Sequence, residues 1–423
     1  MSPQNSGASM PQSTDDHIGT RVRIARNAAG LTQAEMAGQL GRTEHWVQGV
    51  EVGRIPLDRY SLITAVADLC DVDVVWLLGQ PYRLRHGDGS LAHAHIPALR
   101  AGLRRSGLIL SGHPGLSPQA VPVHQDTLEE RSRKANAARQ AANLPRVADL
   151  LPAMIEDLNT ALLVSEGTAR EAALRLMIDA ARTARMCLNQ LGYPDLAWVA
   201  AEVAAGAATQ LDDPVAKAAV AWDRCGALLH QASHRETTAV AEAALRDLDP
   251  LVSARRPDEA ALSLHGALML RCAIAAARGH QADSAWSWVQ GALEVTARLP
   301  EGFYDLRRQT VFGRGTVAVH AAEVGVEVEA PEAGLTAVPE AGVESVPSKE
   351  RRTHYQIDRA RAYRKMGKLP QAVAAMQKAA AAAPYYVYAD PMARALVSDL
   401  VRAGVPSQAS ALSSLVRNME LVR

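Results

Sequence analysis

Apolar residues recur three and four positions apart along most of this chain, the spacing of a helix with one buried face, and turn residues cut the pattern into segments. The first such segment predicts a helix over 17–29, ended by Gly30. A second starts at Thr32, whose hydroxyl caps it while Glu35 completes a capping box. Thr43 is placed to cap a third over 43–52. Pro56 then breaks the chain, and YSLITAVADL (60–69) and VDVVWLLG (72–79) read as two short helices with apolar faces. Five helices within 17–80 predict a small compact domain. From 81 to 145, Gly and Pro turns such as GHPGLSPQAVP (112–122) alternate with helical stretches such as IPALRAGLRRSGLIL (96–110), the pattern of a structured connector. Beyond Pro145 helix follows helix, with alanine at crossing positions and breaks at Gly192, 212–214, Pro250 and Gly279. The expected fold class is all-α.

Two stretches depart from the pattern. Residues 1–16, rich in Ser, Gln, Pro and Asp, carry too little apolar surface to order themselves and read as a disordered arm. VGVEVEAPEAGLTAVPEAGVESVP is acidic, lacks Lys and Arg, and is punctuated by Pro and Gly. It reads as a disordered insertion at about 324–348.

Within 146–423 a degenerate repeat is visible. In ARAYRKMGKLPQAVAAMQKAAAAAP (360–384), Tyr363, Gly367, Leu369, Ala372, Met376, Ala379 and Pro384 resemble the tetratricopeptide pattern. Weaker relatives are LGYPDLAWVAAEVAAGA (191–207) and ARGHQADSAWSWVQGAL (277–293). The resemblance implies a helical solenoid over 146–423.

The most specific motif is LTQAEMAGQLGRTEHWVQGVEVGR (31–54). Ala37 is the small residue where two helices cross closely, Gly41 the left-handed turn position, and Val47 and Val50 the apolar anchors of the second helix. The segment resembles the XRE family of Cro- and repressor-type helix-turn-helix regulators over roughly 18–80, which implies a five-helix lambda-repressor-like domain that binds double-stranded DNA. Under that resemblance helix 43–52 lies in the major groove, headed by Thr43, with Glu44, His45 and Gln48 at the positions of base readers and Trp46 beside them. Gln pairs with adenine, Glu accepts from cytosine and His bonds guanine. Trp46 either meets a thymine methyl or a sugar, or packs on a neighbouring helix. Gln33, opening the second helix, is placed to hold a phosphate, and Arg42 and Arg54 flank the recognition helix as phosphate clamps. Arg26 and Glu51 correspond to a buried ion pair of the family.

Composition and charge refine this picture. The 423 residues predict two or three domains, and scarce aromatics with abundant alanine favour close-packed helices. Net charge is zero, with 8 basic and 9 acidic residues in 1–85 against 8 basic and 4 acidic in 86–146. A near-neutral DNA-reading module predicts modest nonspecific affinity, with a basic connector supplying part of it. The four dispersed cysteines argue against a disulfide framework or structural zinc and for a reducing cytoplasm. No apolar run near 18 residues and no signal-peptide core are read, so no membrane is expected.

Other constellations count for less. His230 and His234 are four apart with Cys225 near them, but no fourth ligand is evident, so no metal is expected. The His93 and His95 pair is expected to face solvent, and the Arg104 and Arg105 pair to form a solvated helix face. Trp198, Trp222, Trp286 and Trp288 are expected in the core of the solenoid. No phosphate loop, dinucleotide fingerprint, nucleophile elbow or HExxH motif occurs, so neither an enzyme nor a cofactor is expected.

The combined expectation is a sequence-specific transcriptional regulator whose solenoid dimerises it or senses a peptide or protein ligand. Its layout is similar to regulators of the RRNPP type, and to large regulators common in actinobacteria. The competing reading is a protein-interaction scaffold that uses the solenoid without reading DNA.

Overall fold

The computed structural model describes residues 17–82, 88–119, 121–339 and 342–421. The expected arm at 1–16 lies outside them. Among the described residues all regular structure is helical, as the all-α expectation required.

Five helices form the N-terminal domain: α1 (Ile18–Ala28), α2 (Gln33–Gln39), α3 (Glu44–Glu51), α4 (Tyr60–Leu69) and α5 (Val74–Leu78). Their starts follow from local chemistry. His17 Nδ1 accepts the Gly19 N–H at 2.7 Å, Thr32 and Glu35 form a reciprocal capping box, and the Asp73 carboxylate accepts the Val75 N–H at 2.7 Å. Gly79 ends α5 in the left-handed region at φ 74°. Val22, Met36, Val47, Ile63, Val66 and Leu77 fill the core of this domain.

The connector contributes α6 (Asp88–Ala94), α7 (Ile96–Leu110) and α8 (Gln125–Gln140). The repeat region follows with α9 (Leu144–Val164), α10 (Gly167–Leu191), α11 (Pro194–Leu211), α12 (Pro214–His230), α13 (His234–Val252), α14 (Glu259–Arg278), α15 (Ala282–Thr296), α16 (Arg314–Glu327) and α17 (Pro331–Thr336). It ends with α18 (Lys349–Lys365), α19 (Leu369–Ala382), α20 (Pro384–Ala389), α21 (Pro391–Ala403) and α22 (Ala409–Asn418). Most of these helices pack on their chain neighbours across short turns, as a helical repeat requires. In the clearest unit Gly367 makes the turn at φ 72°, Ala372, Met376 and Ala379 are buried on α19, and Pro384 opens α20.

The repeat curls until its ends meet. Helix α8 packs on both α10 and α18, and α20 packs on α9 and α10. Buried Arg139 of α8 pairs with Glu350 of α18 and donates to the Gln309 carbonyl at 3.2 Å. One hydrophobic core therefore combines α6–α11 with α18–α22, and a second serves α12–α17. The connector helices share the core of the repeat region, so packing does not change at residue 145.

Among the described residues of 324–348, helices stand where a disordered insertion was expected. Helix α16 runs to Glu327 and is buried along nearly its whole length, and α17 crosses it closely. A Cβ on Gly325 would fall 2.6 Å from the Gly334 Cα, so both glycines are needed for that approach. The acidic residues find their partners on distant helices: Glu327 with Arg361, Glu329 with Arg59 and Glu344 with Lys378. The reading of apolar runs also needs correction, since α14 is long and apolar enough to span a bilayer. It is instead a buried core helix. Pro250 lies within α13 rather than breaking it. His93 is half-buried against the Tyr193 hydroxyl at 3.0 Å, and Arg105 is ion-paired with Glu156 at 3.4 Å while Arg104 stays exposed. Of the four tryptophans expected in the core only Trp222 is fully buried, and the other three are half-buried.

The N-terminal domain docks on this ring through several polar contacts, among them the Asp58–Lys365 ion pair at 2.9 Å, and a buried carboxylate is central to them. Helix α4 has no side-chain cap of its own. Glu327 supplies it from α16, accepting from the Tyr60 N–H at 3.3 Å and the Arg361 guanidinium at 3.0 Å, with the Ser61 hydroxyl at 3.5 Å. A negative charge at a helix N-terminus is favourable in itself, and burial strengthens it. A second anchor is Arg402 of α21, which donates to the Gly53 carbonyl at 2.8 Å beyond α3. Replacing Glu327 with Ala is expected to cost about 1–3 kcal/mol, because it leaves the Tyr60 N–H and the Ser61 hydroxyl without their acceptor while Arg361 keeps Asp358. Urea unfolding measures this, and an unchanged midpoint would refute the docking role.

Candidate nucleic-acid interface

The exposed face of α3 is produced by the turn that precedes it. Ala37, 3% exposed, lets α2 and α3 approach. Gly41 takes φ 63° between them, and the Thr43 hydroxyl accepts the Trp46 N–H at 3.2 Å to start the helix. Val47 and Val50 turn into the core. The helical period then sends Glu44, His45 and Gln48 outward, all exposed.

Flanking groups are partly preorganised. The Arg42 guanidinium lies 5.6 Å from the Trp46 ring centroid, and Trp46 is half-buried against the domain core. Trp46 thus packs on the domain core and also carries the Arg42 cation near its ring. Arg54 Nη2 donates to Gln48 Oε1 at 3.4 Å. Arg26 Nε and Nη2 reach Glu51 Oε1 and Oε2 at 2.5 and 3.2 Å, a buried bidentate pair between α1 and α3. The Gln33 amide donates to Glu51 Oε2 at 2.6 Å, so the side chain extends the ion pair.

Residues 17–75 match a protein-family model described as a helix-turn-helix domain. That segment is a helix-turn-helix domain. No curated protein matches the sequence. Among solved structures, the crystal structure of Bacillus thuringiensis PlcR in complex with the peptide PapR7 and DNA covers 66% of this chain and 96% of its own at 13% identity. Its TM-score of 0.29 is too low for that likeness to carry an argument.

The helix-turn-helix domain also meets an interior groove of the repeat ring. The groove holds about 140 Å³ and is walled by α10, α12, α14, α16, α18 and the segment 386–392. Tyr60 of α4 lines it, donating to the His230 carbonyl at 2.9 Å and lying 4.3 Å under the Arg278 guanidinium. A molecule in the groove would therefore touch the helix-turn-helix domain directly. Nothing in the sequence pattern marked Tyr60, which reads as an ordinary helix start.

Metal-ligand chemistry is limited. His230 lines the groove, and the Cys225 thiol donates to the Thr237 carbonyl at 3.5 Å. Glu323, His354 and Asp358 do converge. Their carboxylates, however, are already neutralised by Arg278 and Arg361 at 2.8 and 2.7 Å, which makes the group an ion-pair network. Burial works against a charged His354, yet Asp358 and Glu323 outweigh it and push its pKa up to about 9.

Two predictions follow from this geometry. Glu51→Ala leaves Arg26 as a buried unpaired cation and is expected to destabilise by about 3–5 kcal/mol in denaturant unfolding, whereas a loss below 1 kcal/mol would contradict a structural role. Because the folded pKa of His354 lies above its unfolded value of 6.5, its stabilisation is complete below that pH and is lost as pH rises through about 9. Melting temperature should fall across this interval, and His354→Gln should flatten the fall; parallel curves for the two proteins would count against it.

Proposed function

We propose that this chain is a sequence-specific transcriptional regulator that binds DNA as a homodimer and is controlled by a ligand in the groove of its repeat region. The observation that carries the DNA reading is the outward row of Glu44, His45 and Gln48 on a helix whose opposite side is fixed by Val47, Val50 and the Arg26–Glu51 pair. That arrangement supports base reading by α3 in the major groove, with Thr43 at its head, Trp46 against a sugar or methyl group, and Arg42 and Arg54 on phosphates. One module presents few base contacts, so two half-sites read by a symmetric dimer supply the rest. Control is assigned to the groove because Tyr60 connects it to α4. The four cysteines are unpaired, which suits a reducing cytoplasm. The chain acts by binding, without an enzymatic step.

Purified full-length protein is to be mixed with fragmented genomic DNA, the bound fragments sequenced, and affinity for the enriched site followed against salt. A two-fold symmetric site with steep salt dependence is expected. Absence of any enriched site with or without cell extract would replace this reading by the protein-scaffold one. On the enriched site His45→Ala and Gln48→Ala should each weaken binding about tenfold or more, the worth of a base contact of roughly 1–3 kcal/mol. Unfolding midpoints should not change. Unaltered affinity in both variants would place the recognition face elsewhere.

A further inference from the structure

Behind one wall of the groove lies the buried ring of Trp222. Four guanidinium groups lie within 6 Å of its ring centroid: Arg182 at 5.9 Å, Arg185 at 5.5 Å, Arg271 at 4.1 Å and Arg351 at 5.7 Å. The ring itself is 1% exposed. Only one carboxylate belongs to this set, Asp223, and it is shared by Arg182 and Arg185. Arg139 pairs with Glu350, whose carboxylate also feels Arg351 without a direct ion pair, and the groove's Glu323 and Asp358 are taken by Arg278 and Arg361. Asp179 lies on the far side of Arg182, in a separate pocket with Arg307.

Arg271 and Arg351 are left over. Neither makes an ion pair or a side-chain hydrogen bond, the Nε of each is buried without a partner, and both line the groove. Arg351 is 8% exposed. An unpaired buried guanidinium is costly, and contact with an aromatic face offsets only part of that cost. The mutual proximity of Arg185, Arg271 and Arg351 lowers the proton affinity of Arg271 further. The local backbone accommodates the cluster: a Cβ on Gly226 would fall 2.7 Å from Arg185 Nη1 and 3.2 Å from Arg271 Nη2.

We propose that Arg271 and Arg351, backed by Arg185 and Trp222, form an oxyanion site that anchors a carboxylate- or phosphate-bearing ligand in the groove. Planar guanidinium groups match either anion with paired N–H donors. A ligand so anchored lies along the cavity that Tyr60 lines, which joins this site to the control role proposed above. It rests on that reading for the consequence of binding, while binding itself is independent of DNA.

The test titrates full-length protein, without DNA, with citrate and with inorganic pyrophosphate at fixed ionic strength, by calorimetry and tryptophan fluorescence. Saturable binding of at least one probe is expected, weakened tenfold or more by Arg271→Gln and by Arg351→Gln. Preference for citrate assigns a carboxylate ligand, and preference for pyrophosphate a phosphate. The bound probe should raise the melting temperature of the parent protein and not of the variants. Gly226→Ala provides an independent arm, since it displaces guanidinium groups without removing charge, and should also weaken binding. Binding of neither probe, or binding that survives both arginine substitutions, overturns the proposal. So does a lowered melting temperature in both arginine variants with probe affinity intact, which would make the arginines structural only. Failure to bind DNA would leave these outcomes readable, because no arm uses DNA.

Discussion

The arrangement of this protein depends on the buried carboxylate of Glu327. A helix begins with backbone N–H groups that have no intrahelical acceptor, and α4 has no cap in its own sequence. The acceptor arrives from α16, more than 260 residues later in the chain, and the same carboxylate neutralises Arg361 of α18. One side chain thereby satisfies a helix in the helix-turn-helix domain and a cation in the repeat ring. Arg402 at Gly53 adds a second fixed point. With both in place the helix-turn-helix domain is fixed to the ring, and its Tyr60 forms part of the groove lining.

Local signals were strong where the chain encodes its own contacts. The capping box at Thr32 and Glu35, the cap at Thr43, the left-handed turn at Gly41 and the inward face of Val47 and Val50 were all legible, because each interaction spans a few residues. The tetratricopeptide-like unit at 360–384 was legible for the same reason. The bond from Gln33 to Glu51 was not legible, because a position at a helix start says nothing about a carboxylate 18 residues away on the next helix.

Non-local features were hidden. Composition made 324–348 resemble a flexible acidic insertion, since the bases that balance its acids sit at Arg59, Arg361 and Lys378. Gly325 and Gly334 within it reflect close helix approach between α16 and α17 and not chain freedom. Closure of the repeat was equally invisible, as the meeting of α8 with α18 leaves no periodicity. The arginines around Trp222 come from α10, α14 and α18, helices scattered through the chain. The one available hint was Arg182 and Arg185, spaced three apart on an otherwise apolar stretch of α10. That spacing reads equally well as an exposed stripe.

The borrowed cap on α4 has an evolutionary consequence. A DNA-binding domain that carries its own caps can be exchanged between proteins as a cassette. Here the start of α4 and the end of α16 are halves of one contact, so residues 59–61, 327 and 361 are bound to change together. Shuffling residues 17–80 onto another repeat ring would transfer the motif but leave behind the acid that orients it. Lineages carrying this architecture are therefore expected to inherit it whole.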